Sequence, residues 1–140
     1  MCSTTCSTPV GTLIFPISSD FSNQLQAELS DYFHGTRRTF SPNLLQAAEK
    51  VAFSLGTPFQ QSVWQALTHI PYASTITYSD LAHHINKPRA TRAVAAACGA
   101  NPFPILIPCH RVVAKNGIGG FSLGIPAKQL LLNLESAHGR

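Results

Sequence analysis

From residue 57 onward, hydrophobic positions recur at helical spacing and are interrupted at short intervals by turn residues. Thr57, Pro58 and Gln60 have the form of a capping box with proline in the first turn. Phe59, Val63, Leu67 and Ile70 then line one helical face, flanked by Trp64 and Ala66. Trp64 is expected to be a core anchor. Pro71 and Tyr72 make a turn, Thr77 can cap a short helix over 78–85, and Asn86-Lys87-Pro88 breaks it. A further helix is predicted over 89–98, stopped by Gly99. Two short helices joined by a tight turn predict a helix-turn-helix. Pro126 opens a last helix whose apolar face is Ala127, Leu130, Leu131 and Leu134, with Glu135 carried inward beside it.

The front of the chain is less regular. Residues 12–17 (TLIFPI) read as a short strand, and Leu25, Leu29, Tyr32 and Phe33 follow at helical spacing as core positions without evident chemistry. The stretch 35–55, with Pro42 inside it, is predicted to be an irregular connector. A boundary near Leu55 separates a front part, 1–55, from a better organised part, 56–140.

A length of 140 residues with 44% hydrophobic content suits one domain, or one with a small satellite, and excludes disordered and fibrous classes. Charged residues are only 11% of the chain, yet the net charge is +4, which favours an acidic partner such as nucleic acid. This alters the view of the 89–98 helix. Beyond Arg89 and Arg92 it offers Ala90, Ala93, Ala95, Ala96 and Ala97, so it can approach DNA closely but reads few bases. On composition alone, a good, tightly packed structural helix is the better reading. Cysteines at 2, 6, 98 and 109 follow no regular spacing, and the N-terminus lacks a charged start and a long apolar run. A reducing intracellular setting is expected, cytoplasmic or, in a eukaryote, nuclear. No apolar run approaches the ~18 residues of a membrane span.

The chemistry concentrates at 101–113 (NPFPILIPCHRVV), where three prolines frame an apolar run that leads to adjacent Cys109 and His110. The prolines fix the backbone and should hold Cys109 rigidly. A thiol reacts as thiolate, so its ordinary pKa of ~8.5 calls for a nearby base or cation, and His110 and Arg111 are the local candidates. Neighbouring side chains point apart, which predicts a bridging water rather than a direct bond between His110 and the sulfur. A base histidine needs an orienting partner, and Glu135 is the carboxylate downstream of it. A Cys109, His110, Glu135 relay is the resulting expectation.

These residues resemble the O6-alkylguanine-DNA alkyltransferases, whose PCHRV signature falls here at Pro108 to Val112. The resemblance runs from about Thr57 to Glu135 through FQQSVWQAL, ITYSDLA, RATRAVAAACGANP and LLLNLE. TPVGTLIFPI and LQAELSDYFHG are more loosely similar to the family's N-terminal domain. It implies an α+β fold: a mainly helical C-terminal domain with a winged-helix-like helix-turn-helix, after a shortened N-terminal α/β part. It also implies direct, single-use transfer of a methyl or other alkyl group from O6-alkylguanine, and by extension O4-alkylthymine, to Cys109.

In the resemblance His110 is the water-mediated base, Glu135 its partner, Asn101 the hinge and Tyr78 the proton donor to the leaving guanine. Arg92 enters the base stack, with Thr91, Ala95 and Arg89 also facing DNA. Phe121, Ser122, Leu123, Pro104 and Val112 surround the alkyl pocket, and Phe121 and Leu123 stand where many relatives have tyrosine and glycine. The implied partner is double-stranded DNA carrying the lesion, bound through its minor groove by a monomer that needs no cofactor. A base inside a duplex must be turned out for attack, and an alanine-rich helix in the minor groove with Arg92 filling the gap suits that. No zinc site is expected, since Cys2 and Cys6 lack a histidine pairing. Non-catalytic alkyltransferase-like proteins carry tryptophan at the acceptor position, whereas this chain has Cys109. A plain helix-turn-helix regulator would leave the relay unexplained, and a cysteine hydrolase would need an oxyanion motif that is not evident.

Overall fold

A computed structural model of the chain describes residues 19–139. The strand expected at 12–17, together with Cys2 and Cys6, lies outside the described residues. The order is α1 (Ser19–Phe33), α2 (Pro42–Leu55), α3 (Pro58–Leu67), β1 (Ile76–Thr77), α4 (Tyr78–His84), α5 (Thr91–Gly99), a 3₁₀ turn (Cys109–Arg111), β2 (Val112–Val113) and α6 (Ile125–His138). The fold is a mainly helical α+β arrangement.

Two capping boxes start the central helices. The Thr57 hydroxyl accepts from the Gln60 N–H at 3.1 Å, and the Gln60 side chain accepts from the Thr57 N–H at 3.0 Å. Thr77 and Asp80 repeat the device at α4, at 3.0 and 3.3 Å. Each cap satisfies donors that the first turn would otherwise strand, worth ~1 kcal/mol. α4 and α5, joined across 85–90, form the expected helix-turn-helix.

Three expectations need correction. The stretch 35–55 is not an irregular connector, because Pro42 opens α2 rather than breaking it; at the first helical position its missing N–H removes no bond. Leu44, Ala48 and Ala52 recur at i, i+4 and form the buried stripe of that helix. α5 begins at Thr91, not Arg89, because Pro88 and Arg89 are taken up in a turn closed by the Ala90 N–H on the Lys87 carbonyl at 2.9 Å. In α6 the buried positions are Lys128, Leu131 and Glu135, whereas Leu130 is 62% exposed. The inward face of α6 is therefore partly ionic.

The main core gathers Val63, Trp64 and Leu67 of α3, Leu81 and Ala82 of α4 and Val94, Ala97 and Cys98 of α5, closed by Ile107, Cys109 and Val112. Trp64 donates its indole N–H to the Ala97 carbonyl at 2.8 Å, tying α3 to α5. Gly56 is needed at the mouth of α3, since any Cβ there would collide with the Trp64 ring. A second core joins Tyr32 of α1, Phe40 of the connection after it, and Leu44 and Ala48 of α2 to Leu106 and Leu131. The strands pair in parallel, Ile76 with Val112 and Thr77 with Val113. That register sets the start of α4 beside the chain leaving the 3₁₀ turn.

Candidate active site

The arm 101–108 is a sequence of local constraints. Buried Asn101 donates its amide to the Ile107 carbonyl at 2.6 Å and accepts from the Phe103 N–H at 2.9 Å, clamping both ends of the loop. Ile105 has φ +80°, a strained value for a β-branched residue. Pro108, at φ −79° and ψ 68°, forms an inverse γ-turn closed by the Cys109 N–H on the Ile107 carbonyl at 2.8 Å. Cys109 is 3% exposed and begins the 3₁₀ turn.

His110 is fully buried and its Nε2 lies 2.7 Å from Glu135 Oε2. Burial alone would raise the Glu135 carboxyl, but hydrogen bonds from His110, Arg111 and Tyr32 outweigh it and hold the group down to about 2. The carboxylate is therefore ionised. Burial pushes His110 below its ordinary value against the opposing pull of Glu135, so the ring is neutral near pH 7. With Nε2–H donated to the carboxylate, Nδ1 is left as the acceptor, and it has no hydrogen-bond partner among the described residues.

Glu135 is held from several sides. Arg111 donates Nε to Oε1 and Nη2 to Oε2, both at 2.9 Å, and Nη1 to the Ile70 carbonyl at 2.7 Å. The Tyr32 hydroxyl donates to Oε2 at 2.6 Å, and the Ala73 N–H to Oε1 at 3.1 Å. Arg111 was one of two candidates to lower the thiol pKa, but its guanidinium is spent on the carboxylate.

The cation that acts on the thiol is Lys128. Its fully buried ammonium donates to the carbonyls of Val112 at 2.6 Å and Gly120 at 2.9 Å, and lies 3.4 Å from the Tyr78 hydroxyl. Burial raises the Cys109 thiol above its ordinary value, while a hydrogen bond from Asn101 and the charge of Lys128 oppose the rise. Cys98 differs: burial lifts it to about 12, consistent with a packing thiol. Burial likewise raises Tyr78, whose hydroxyl donates to the Gly120 carbonyl at 3.3 Å. Gly119, at φ +79°, lets this loop close over the ring, since a Cβ there would stand 2.8 Å from the Tyr78 hydroxyl.

Cys109, Tyr78, Phe121 and Ser122 share a cavity of about 310 Å³, at the small end of ligand pockets. Ala95, Cys98 and Gly99 of α5 and Gly120 complete its wall. Of the expected pocket residues, Leu123 is 59% exposed and, like Pro104 and Val112, is not part of this lining. Val112 is buried and works through its carbonyl, which holds Lys128. The outer surface of α5 exposes Arg92, Ala93, Ala96 and Gly99, with Arg89 exposed just before the helix and Thr91 half-buried at its start. A further cavity of about 320 Å³ between α3 and α4, bounded by His69, Ile76, Leu81 and His84, contains neither thiol nor carboxylate. Among the described residues, no cluster of three or more His, Cys, Asp or Glu is arranged to hold a metal. None of the described helices is long and apolar enough to cross a membrane.

Tyr32 and Lys128 are the participants that sequence reasoning overlooked. Each carried a signal: a tyrosine in a core stripe must find a partner for its hydroxyl, and a lysine one turn from a buried leucine in α6 invites the same question.

Residues 58–137 match the family model described as 6-O-methylguanine DNA methyltransferase, DNA binding domain. The chain is 49% identical over 109 residues to the inducible methylated-DNA–protein-cysteine methyltransferase of Bacillus subtilis, covering 77% of this chain and 56% of that protein. It is 55% identical over 80 residues to the probable methylated-DNA–protein-cysteine methyltransferase of Acanthamoeba polyphaga mimivirus, covering 57% of this chain and 54% of that protein. This chain thus spans little more than half the length of these two relatives. The crystal structure of Mycobacterium tuberculosis OGT in complex with DNA superposes with a TM-score of 0.71 at 37% identity, covering 83% of this chain and 68% of that one.

Proposed function

Because the chain belongs to the 6-O-methylguanine DNA methyltransferase family, we propose that it repairs DNA by moving a methyl or other alkyl group from O6-alkylguanine onto Cys109. The observation that carries this is a thiol on the wall of a base-sized cavity next to a buried neutral histidine, whose far nitrogen is fixed by an ionised glutamate. The Cys109 proton passes through a water to His110 Nδ1, and Glu135 stabilises the imidazolium. The thiolate attacks the alkyl carbon, the carbon–oxygen bond breaks, and its electron pair leaves on the guanine. Tyr78 supplies the proton the departing base needs, while the Lys128 ammonium beside it favours the resulting phenolate. In net terms the thiol proton replaces the alkyl group. The thioether has no leaving step, so one molecule acts once, without a cofactor.

DNA enters the account through α5. The small outer residues of that helix admit the minor groove, Arg92 takes the place of the extruded base in the stack, and Ala95 and Gly99 line the path from groove to thiol. Arg89 and Thr91 contact the backbone, and the protein acts as a monomer on double-stranded DNA. That the similar M. tuberculosis OGT forms a complex with DNA supports DNA as the partner. Titrating the protein against a duplex that carries one O6-methylguanine tests the proposal. Guanine restored should rise in step with protein added, one lesion per molecule. Turnover beyond that ratio, or binding without restoration, would contradict it.

A further inference from the structure

α1 reaches the centre of the relay across 103 residues of sequence, through a side chain with no evident reason to be tyrosine. The Tyr32 ring is fully buried in the second core, stacked on Phe40 at 5.7 Å and edge-on to Tyr72 at 6.2 Å. A phenylalanine would fill that space. Yet its hydroxyl donates to Glu135 Oε2 at 2.6 Å, onto the same oxygen that takes His110 Nε2 at 2.7 Å and Arg111 Nη2 at 2.9 Å. Three donors share one oxygen.

We propose that Tyr32 is a positioning residue for the transfer reaction: by competing with His110 for Glu135 Oε2, it limits how strongly the carboxylate holds a proton on the imidazole. This rests on the alkyl-transfer proposal and deepens it. Of the other charged groups nearby, Arg111 also donates to Oε2 but remains bound there and to Oε1 whatever stands at position 32, and Lys128 donates to neither Glu135 nor His110. Arg111 and Lys128 both disfavour the charged imidazole, and neither donates to it. Tyr72 senses Glu135 through space, lies under Arg38 and Arg111, and its hydroxyl has no hydrogen-bond partner among the described residues. Glu135 cannot swing away when Tyr32 is altered, because Arg111 grips both oxygens and the Ala73 N–H holds Oε1. Losing the Tyr32 hydroxyl therefore concentrates carboxylate charge on His110 and raises the imidazole pKa. The base must be neutral to accept the thiol proton, so activity is lost as pH falls through that pKa.

The test follows methyl transfer from an O6-methylguanine duplex, and in parallel the carboxamidomethylation of Cys109 by iodoacetamide, located by peptide mass, from pH 5 to 9. In Tyr32→Phe the acid-limb midpoint of both reactions should move up by about half a unit or more. In the full chain with Tyr32 replaced by 3-fluorotyrosine, a stronger donor of the same shape, it should move down. Because this replacement keeps the packing, it decides the matter even if Tyr32→Phe folds poorly. A uniform fall in rate with unchanged midpoints in both variants would overturn the proposal and leave Tyr32 a packing residue. If the wild-type thiol titrates with iodoacetamide but no methyl is transferred, the failure lies with the alkyl-transfer proposal, while the midpoint shifts still judge Tyr32.

Discussion

The two sides of the His110 ring are built in opposite ways. On the Nε2 side, the buried Glu135 receives donors from the 3₁₀ turn, α1 and the turn after α3. On the Nδ1 side the ring has no hydrogen-bond partner among the described residues, and Cys109 lies at a cavity wall made largely of small side chains. The contrast separates two tasks. On the proposed reading, the orientation of the base is over-determined by a buried ionic network, while the thiol is left unencumbered and the charge of Lys128 opposes the effect of its burial. A buried ion pair is a weak source of net stability, but removing one partner from it is severe.

That asymmetry can be attacked first from its stronger side. Glu135→Gln leaves Arg111 buried without its carboxylate, and chemical denaturation should show a loss of about 3–5 kcal/mol. Methyl transfer should fall by roughly 100-fold, the scale of a general base deprived of its partner. The pH dependence has a definite sign. The folded-state pKa of Glu135 is depressed to about 2, so its contribution is present above the ordinary carboxylate value and is lost as pH falls toward 2. Wild-type stability should decline through that acid window, and Glu135→Gln should flatten the decline. An unchanged slope would mean that the network does not govern acid stability.

On the open side the expected effects are smaller. Lys128→Met keeps the volume and removes the charge that opposes the burial of the thiol. The pH midpoint of Cys109 reaction with iodoacetamide should move up, and transfer at pH 7 should drop by about tenfold. Smaller again is Arg92→Ala, at an exposed position on the outer surface of α5. Repair of a duplex should weaken several-fold while reaction with free O6-methylguanine is unaffected, since only the duplex requires a base to be turned out, at a cost of a few kcal/mol. Equal losses on both substrates would remove Arg92 from that role.

Much of the open side is legible in sequence, and on the closed side the pairing of His110 with an inward Glu135 is legible too, but the other donors to that carboxylate are not. Thr57, Gln60, Thr77 and their helices are local events, written within four residues and borne out atom by atom. The proline frame of Cys109 is local too. The closed side depends on contacts between distant segments: Tyr32 meets Glu135 across 103 positions, and no periodicity distinguishes a tyrosine that donates a hydrogen bond from one that only packs. In α6, burying Lys128 and Glu135 among leucines blurs the apolar stripe, so Leu130 was expected inside where Lys128 belongs. Pro42 misled for a different reason. Proline marks the first turn of a helix as readily as its end, and only the i, i+4 run of Leu44, Ala48 and Ala52 decides which.

If the transfer proceeds as proposed, Cys109 itself becomes the product. After incubation with a duplex containing O6-methylguanine, the intact mass of the protein should rise by one methyl group, peptide mapping should place it on Cys109 and not on Cys98, and Cys109→Ser should remain unmodified. A protein that binds this DNA but keeps its original mass, or carries the methyl group elsewhere, would contradict the account.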